Sequence, residues 1–167
     1  MTPGSFNPTN LLLSLATAMA TASDCTLGVD LFIHQLPPEV PATGASVLRV
    51  YGGPEPGELR PVPVVSVQCM THCLDAGAGM ALAMRLYASL YDQVSGRPRQ
   101  TWAVPAKRFN GTTWAVEDDV DFPGAGGWDV RLVVLRQPPG LVGRDDAGRW
   151  QIPFNFDVRF SAPEVVE

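Results

Sequence analysis

The sequence predicts an α+β fold: a mainly antiparallel sheet flanked by two main helices, in a single domain over residues 1–167. Three observations predict it. The segment Trp150–Phe160 alternates apolar and polar residues without a break, so one face of a strand is buried and the other wet. Two segments carry helical rather than strand periodicity, one near the start and one near the middle of the chain. The remaining strand-like runs follow one another instead of alternating with helices, which disfavours a parallel α/β sheet.

Taken in order, Thr9 or Asn10 can cap a first helix running to about Ser23, with Leu11, Leu12, Leu15 and Met19 as its apolar stripe. Leu31–Leu36 reads as a strand ended by Pro37-Pro38. Ser46–Tyr51 reads as a second, closed by Gly52-Gly53-Pro54, and Pro63–Thr71 as a third, made strongly β-forming by Val64, Val65 and Val67. Gly52–Pro61 is a Pro/Gly/Glu loop. Asp75 opens a second helix running to about Gln93. Met80, Met84, Tyr87 and Tyr91 form one stripe, widened by Leu82, Leu86 and Leu90; Ala78, Ala81, Ala88 and Ser89 oppose it, with only Arg85 and Asp92 charged. Such a helix is expected to pack on a second layer or on a neighbouring subunit.

Short strands are expected at Gln100–Val104 and Thr113–Val116 around the Asn110-Gly111 turn. The acidic run Glu117, Asp118, Asp119 and Asp121 follows, then the glycine-rich joint Pro123–Gly127 and a strand over Trp128–Arg136. A Gly/Asp turn between Pro138 and Arg149 feeds the final strand. In that strand Pro153 cannot donate to a ladder and predicts a bulge or an edge, a place where subunits pair or must be kept from pairing.

Composition limits the function. The net charge of -5 disfavours a nucleic-acid partner recognised through a basic surface. Charged residues make up 17% and hydrophobic ones 46%, a balance that suits a surface partly covered by another subunit. Three cysteines, Cys25, Cys69 and Cys73, make no secreted disulfide framework and suggest a reducing compartment. No stretch approaches the roughly 20 apolar residues of a membrane span. Leu11–Ala22 superficially resembles a signal peptide, yet no Lys or Arg precedes Arg49, so it is expected to be a helix of the mature protein.

Candidate chemistry is sparse. Cys69, His72 and Cys73 come nearest to a metal motif, but a structural zinc site needs four ligands in spaced pairs, and Cys25 and His34 are scattered. The two cysteines read better as small residues at a strand end. A cysteine nucleophile with His34 or His72 as base has no supporting signature. The acidic run offers oxygen ligands without the spacing of a calcium loop and reads as a solvated or interface loop. Gly124, Gly126 and Gly127 open no helix and make no nucleotide loop. Trp102, Trp114, Trp128 and Trp150 could form a stacking platform, though Trp128 and Trp150 begin strands on apolar faces where core packing is the default. The sequence therefore predicts no enzyme, no cofactor and no metal.

The stretch P-P-G-L-V-G-R-D-D-A-G-R-W-Q-I-P-F-N-F-D-V-R-F, Pro138–Phe160, resembles the C-terminal signature of the bacteriophage minor capsid or tail terminator family. Its elements here are Gly143, Arg144 and Asp145, then Gly148 and Arg149, then Phe154, Asn155 and Phe156. Thr26-Leu27-Gly28 followed by Leu31-Phe32 and Leu36-Pro37 looks like the family's segment after its first helix. Val64–Val67 followed by Ala76–Tyr91 looks like its centre. Residues 106–127 depart from the pattern, being longer and more acidic.

The resemblance implies a structural virion protein located at the head-proximal end of the tail and present in the host cytoplasm during assembly. It implies a homo-oligomer, a hexameric ring that caps the tail tube, stops its polymerisation and presents a surface for head joining. The implied partners are the tail tube protein on one face, a head connector or neck protein on the other, and genomic DNA passing through the lumen without specific binding; no membrane is implied. Glu117, Asp118, Asp119, Asp121, Arg85 and Pro153 are the residues expected at an interface or lumen. Alternatives are a head-completion or neck protein, and, in a different class, a small metal- or ligand-binding module using Cys69, His72 and Cys73.

Overall fold

A computed structural model of the chain describes residues 8–52, 64–100, 102–104, 107–109, 116–118 and 128–161. The elements are α1 (Pro8–Ser23), β1 (Leu31–Ile33), β2 (Ala45–Gly52), β3 (Val64–Cys73), α2 (Ala76–Ala88), β4 (Trp102–Val104), β5 (Lys107–Phe109), β6 (Val116–Asp118), β7 (Trp128–Gln137), β8 (Gly143–Arg144) and β9 (Trp150–Ser161). Seven strands make one sheet in the order β1-β2-β3-β9-β7-β4, with β8 attached to β9. Only β1 and β2 are parallel among the described pairs of this sheet. The fold is α+β, as the run of strands predicts.

Strand alternation places the core. In β9, Ile152, Phe154, Phe156, Val158 and Phe160 are buried on the face that meets both helices. In register, Phe154 stands beside Cys69 and Phe156 beside Val67. On β2, Leu48 continues the row beyond Cys69. Helix α2 lies over β3 and β9, and Tyr87 meets Phe154 edge-on with ring centroids 5.5 Å apart. Helix α1 lies against β1, β2, β4 and β5. Among the described residues the helices cluster with this face, and Arg49, Gln68, Met70, Asn155, Asp157 and Arg159 occupy the alternate positions on the opposite, open face.

Helix α1 differs from its expected form. Leu11, Leu12, Leu13, Ser14, Leu15 and Ala16 are buried in succession, so its first half is enclosed on all sides rather than along one stripe. Leu11–Ala22 thus lies in α1 and contributes to the core of this fold. No described helix is long and apolar enough to cross a membrane.

Several boundaries shift for local reasons. Strand β1 stops at Ile33 because His34 adopts φ +63°, a left-handed conformation outside the strand region. Helix α2 begins where expected: the Asp75 carboxylate accepts the Ala78 amide at 2.7 Å. It ends at Ala88 rather than near Gln93. There the Asp92 carboxylate accepts the Val94 and Ser95 amides at 2.9 and 2.7 Å, giving the chain a turn in place of another helical turn.

Pro153 is the larger correction. It is neither at an edge nor in a bulge of its own strand: β9 lies between β3 and β7, and Pro153 pairs with Met70. Its other side meets a loop, since pairing with β7 ends at Asn155 and pairing with β8 begins at Gln151. The Pro153 carbonyl accepts the Gly140 amide there at 3.3 Å, so the missing N–H falls against the loop and breaks no ladder bond. The bulges of this pair lie in β7, between Val130 and Leu132 and between Leu135 and Gln137.

Candidate functional site

The Gly/Asp turn before β9 is organised by one carboxylate. Asp145 Oδ1 accepts the amides of Ala147 and Arg149 at 3.0 and 2.9 Å. Its Oδ2 accepts Arg149 Nε at 2.8 Å and faces His72 Nδ1 at 3.1 Å. The Gly148 amide returns to the Asp145 carbonyl at 2.9 Å, with Gly148 at φ +74°, where a side chain would be strained. Burial alone would raise the Asp145 pKa. The Arg149 amide, His72 and the Arg149 guanidinium outweigh it and hold the carboxyl at about 2.

His72 is 7% exposed at the end of β3, on the sheet face away from the helices. Burial lowers its pKa, and although the bond to Asp145 resists, the guanidiniums of Arg149 and Arg49 lower it further. The ring is therefore neutral near pH 7. Its Nδ1–H donates to Asp145, leaving Nε2 as the free ring nitrogen.

That ring lines a notch of about 350 Å³ together with Arg49, Arg149 and the segment Gln35–Pro38. Arg49 reaches it from β2, braced by a 2.9 Å bond from its Nε to the His34 carbonyl. The lining contains two guanidiniums and an imidazole and no acidic side chain among the described residues. Behind it, the charge of Asp145 is engaged with Arg149. Glu39, next along the chain from Pro38, is exposed and outside the lining. The segment Gln35–Pro38 also walls an apolar cleft of about 580 Å³, lined beyond it by Leu13, Leu27, Leu31 and Ile33.

The metal candidates do not converge. Cys69 and Cys73 face the helices, whereas His72 faces the other way, as register and strand alternation require. No cluster of three or more metal-ligating side chains occurs among the described residues. Burial pushes both thiols up in pKa, which makes them poor nucleophiles. Cys73 serves packing: it lies so close to Gly79 of α2 that a Cβ there would fall 2.0 Å from its Sγ.

The signature residues have structural roles. The Arg144 guanidinium lies over the Trp150 ring, 4.3 Å from its centroid. Phe154 and Phe156 stack at 6.0 Å in the core. Between them Asn155 points to the open face, where its Nδ2 donates to Gln137 Oε1 at 2.8 Å. Of the four tryptophans, Trp150 packs beside Cys73, Ala83 and Ile152, and Trp102 beside the main core under Arg99, so those two form no common platform.

The acidic run is not a loop over its described part. Glu117 and Asp118 belong to β6, and their register partners on β5 are Arg108 and Lys107. The expected hairpin is displaced: β5 and β6 pair with each other, while Trp102–Val104 joins the main sheet through β7. Asp119, Asp121, Trp114, the Asn110-Gly111 turn, the glycines 124–127 and the loop beyond Gly52 lie outside the described residues.

Arg85 is exposed on the outer face of α2. Its neighbours there are Gly77, Ala81, Met84 and Ala88, which share one stripe at helical spacing and are all exposed, Met84 by 47%. Leu74, 59% exposed, lies just before the helix. Arg85 is the one charged residue in the stripe. Ser89, expected on this face, is instead buried, and Met84, expected in the opposing apolar stripe, lies here exposed.

Arg49 and the buried pair on the open face escape a reading of the sequence. Arg49 looks like an ordinary wet-face residue in Val47–Tyr51, and only the return of Gln35–Pro38 makes it part of a notch. Asp157 is 7% exposed, accepts Ser66 Oγ at 2.8 Å and Arg136 Nε at 2.7 Å, and stands where alternation predicts a solvated residue.

No protein-family model matches the chain, and no curated protein matches it.

Proposed function

We propose that the chain is a structural subunit of a phage virion, a tail terminator that closes into a ring on the finished tail tube. The observation that carries this reading is the outer stripe of α2. A helix face turned to water ordinarily carries several charges; Gly77, Ala81, Met84 and Ala88 carry none, and Arg85 alone interrupts them. A flat, small-residue face lets a neighbouring subunit approach the helix closely, and a ring repeats that contact at every interface. The resemblance of Pro138–Phe160 to the tail terminator signature supports the same reading. Self-assembly, rather than chemistry, is the activity proposed.

In this role the ring meets the tube protein on one side and a head connector or neck protein on the other. A chain of net charge -5 suits a lumen through which DNA slides without being gripped. Polymerising purified tube protein with and without this protein tests the function. Tubes of limited length, capped at one end, are expected when it is present. Tubes equally long in both cases would contradict it, and binding to filled heads instead of tubes would favour a neck protein.

A further inference from the structure

We propose that the notch between Leu36–Pro38 and the open face of the sheet is an oxyanion-binding site, in which Arg49, Arg149 and His72 receive a carboxylate or phosphate group. Three features carry this. Two cationic side chains from separate parts of the fold, β2 and the turn before β9, line one cavity with a buried imidazole. Both guanidiniums are held through Nε, by the His34 carbonyl at 2.9 Å and by Asp145 at 2.8 Å. Their terminal NH2 groups are thus oriented without being used up by those bonds, the planar donor geometry that oxyanions match.

The third feature is the absence of a competing acid in the described lining. Asp145 is spent on the turn and on holding His72 and Arg149 in place, so it positions the cations rather than filling the notch. Leu36, Pro37 and Pro38 form the less polar wall, which lowers the local dielectric and strengthens charge-assisted bonds. Among the described residues of the lining there is no serine, threonine or cysteine to act as a nucleophile, and the groups present are ones that bind an anion.

His72 gives the site a signature. With Nδ1–H committed to Asp145, Nε2 of the neutral ring accepts and cannot donate to an anion. Protonation turns it into a donor, so anion binding and proton uptake at His72 favour one another. The groups facing the ring are Arg49 from β2 and Asp145 and Arg149 from the turn. Anion affinity should therefore rise as pH falls toward the range in which His72 protonates.

The chain has two histidines, so the His72 ring signals can be assigned by comparison with His34→Gln and followed by NMR. Sulfate, which does not titrate in this range, stands for a phosphoryl group, succinate for a carboxylate, and sodium chloride at matched ionic strength is the control. A saturable shift of His72 with sulfate or succinate, tightening as the pH is lowered from 8 toward the range in which the ring protonates, is expected. Preference for one of the two identifies the source of the oxyanion. Arg49→Gln removes one charged donor from an exposed position without touching the Asp145 turn, and should weaken binding about tenfold. The proposal is overturned if chloride produces the same shift. It is equally overturned if neither anion shifts His72 saturably up to about 0.15 M, where surface charges are screened, or if Arg49→Gln binds as tightly as the parent.

Discussion

His72 Nδ1 lies 3.1 Å from Asp145 Oδ2, joining residues 73 positions apart in the chain. The contact ties the end of β3 to the turn that launches β9, next to the place where the two strands begin to pair, at Cys73 and Trp150. Asp145 therefore serves two ends at once: it closes its own turn through the amides of Ala147 and Arg149, and it orients the His72 ring.

Asp145→Asn separates these duties. An amide oxygen can still accept the two backbone amides, but the amide nitrogen cannot accept from Arg149 or His72. Loss of the carboxylate also removes the influences that raise the His72 pKa. The expected outcome is a lower thermal midpoint and a His72 ring that titrates at lower pH than in the parent, read by NMR. An unchanged His72 titration would mean that the contact does not govern the ring.

Stability should fall with acid in two windows. His72 has a folded pKa below its ordinary 6.5, so the unfolded chain binds its proton first and stability is lost as pH falls below about 6.5. Asp145, depressed from 3.8 to about 2, contributes stability that is present above pH 3.8 and lost as pH falls toward 2. Urea midpoints measured across this range should show both losses. His72→Gln should abolish the upper one and leave the lower.

The contact of α2 with the end of β3 predicts a costly alanine. Gly79→Ala would put a methyl 2.0 Å from Cys73 Sγ and 2.7 Å from its Cβ. Ordinarily Ala stabilises a helix relative to Gly, but overpacking at this site should destabilise by about 1–3 kcal/mol. Cys73→Ala in the same chain should recover part of the loss, because the clashing sulfur is gone while the Cβ at 2.7 Å remains. Denaturant unfolding of the single and double variants measures both effects.

Arg136→Leu tests the open face. It leaves the buried Asp157 carboxylate with Ser66 as its remaining side-chain partner among the described residues and should cost about 1–3 kcal/mol, the range for an under-satisfied buried polar group. Asp157→Asn in the Arg136→Leu background should restore part of it. Chemical denaturation decides.

The fold class was legible because strand alternation and helix periodicity are local signals. Trp150–Phe160, the valine strand and the Asp75 cap sit where periodicity predicts them, within a residue or two. What periodicity could not show was the environment of each face. Leu11–Ala16 carries enough apolar residues for a stripe, yet the first half of α1 is enclosed on all sides because α2 packs against the helix together with β1, β2, β4 and β5. Pro153 signals an edge by the general rule; only the gap between the pairings of β7 and β8 makes an interior position tolerable. In the motif Cys69, His72 and Cys73, the period of two sends the histidine away from both cysteines, which that spacing already implies. The notch itself joins residues 35–38, 49, 72 and 149, and no local pattern predicts a meeting of four distant segments.

Sedimentation velocity over a range of concentrations, comparing the parent with Ala81→Glu, tests the assembly reading most directly. Ala81 is exposed at the middle of the α2 stripe, so a charge there should leave the fold intact while placing like charges or a desolvated carboxylate in every ring contact. The account predicts a closed oligomer for the parent and a folded monomer for Ala81→Glu. A parent that sediments as a monomer at every concentration, or a variant that assembles as well as the parent, would contradict it.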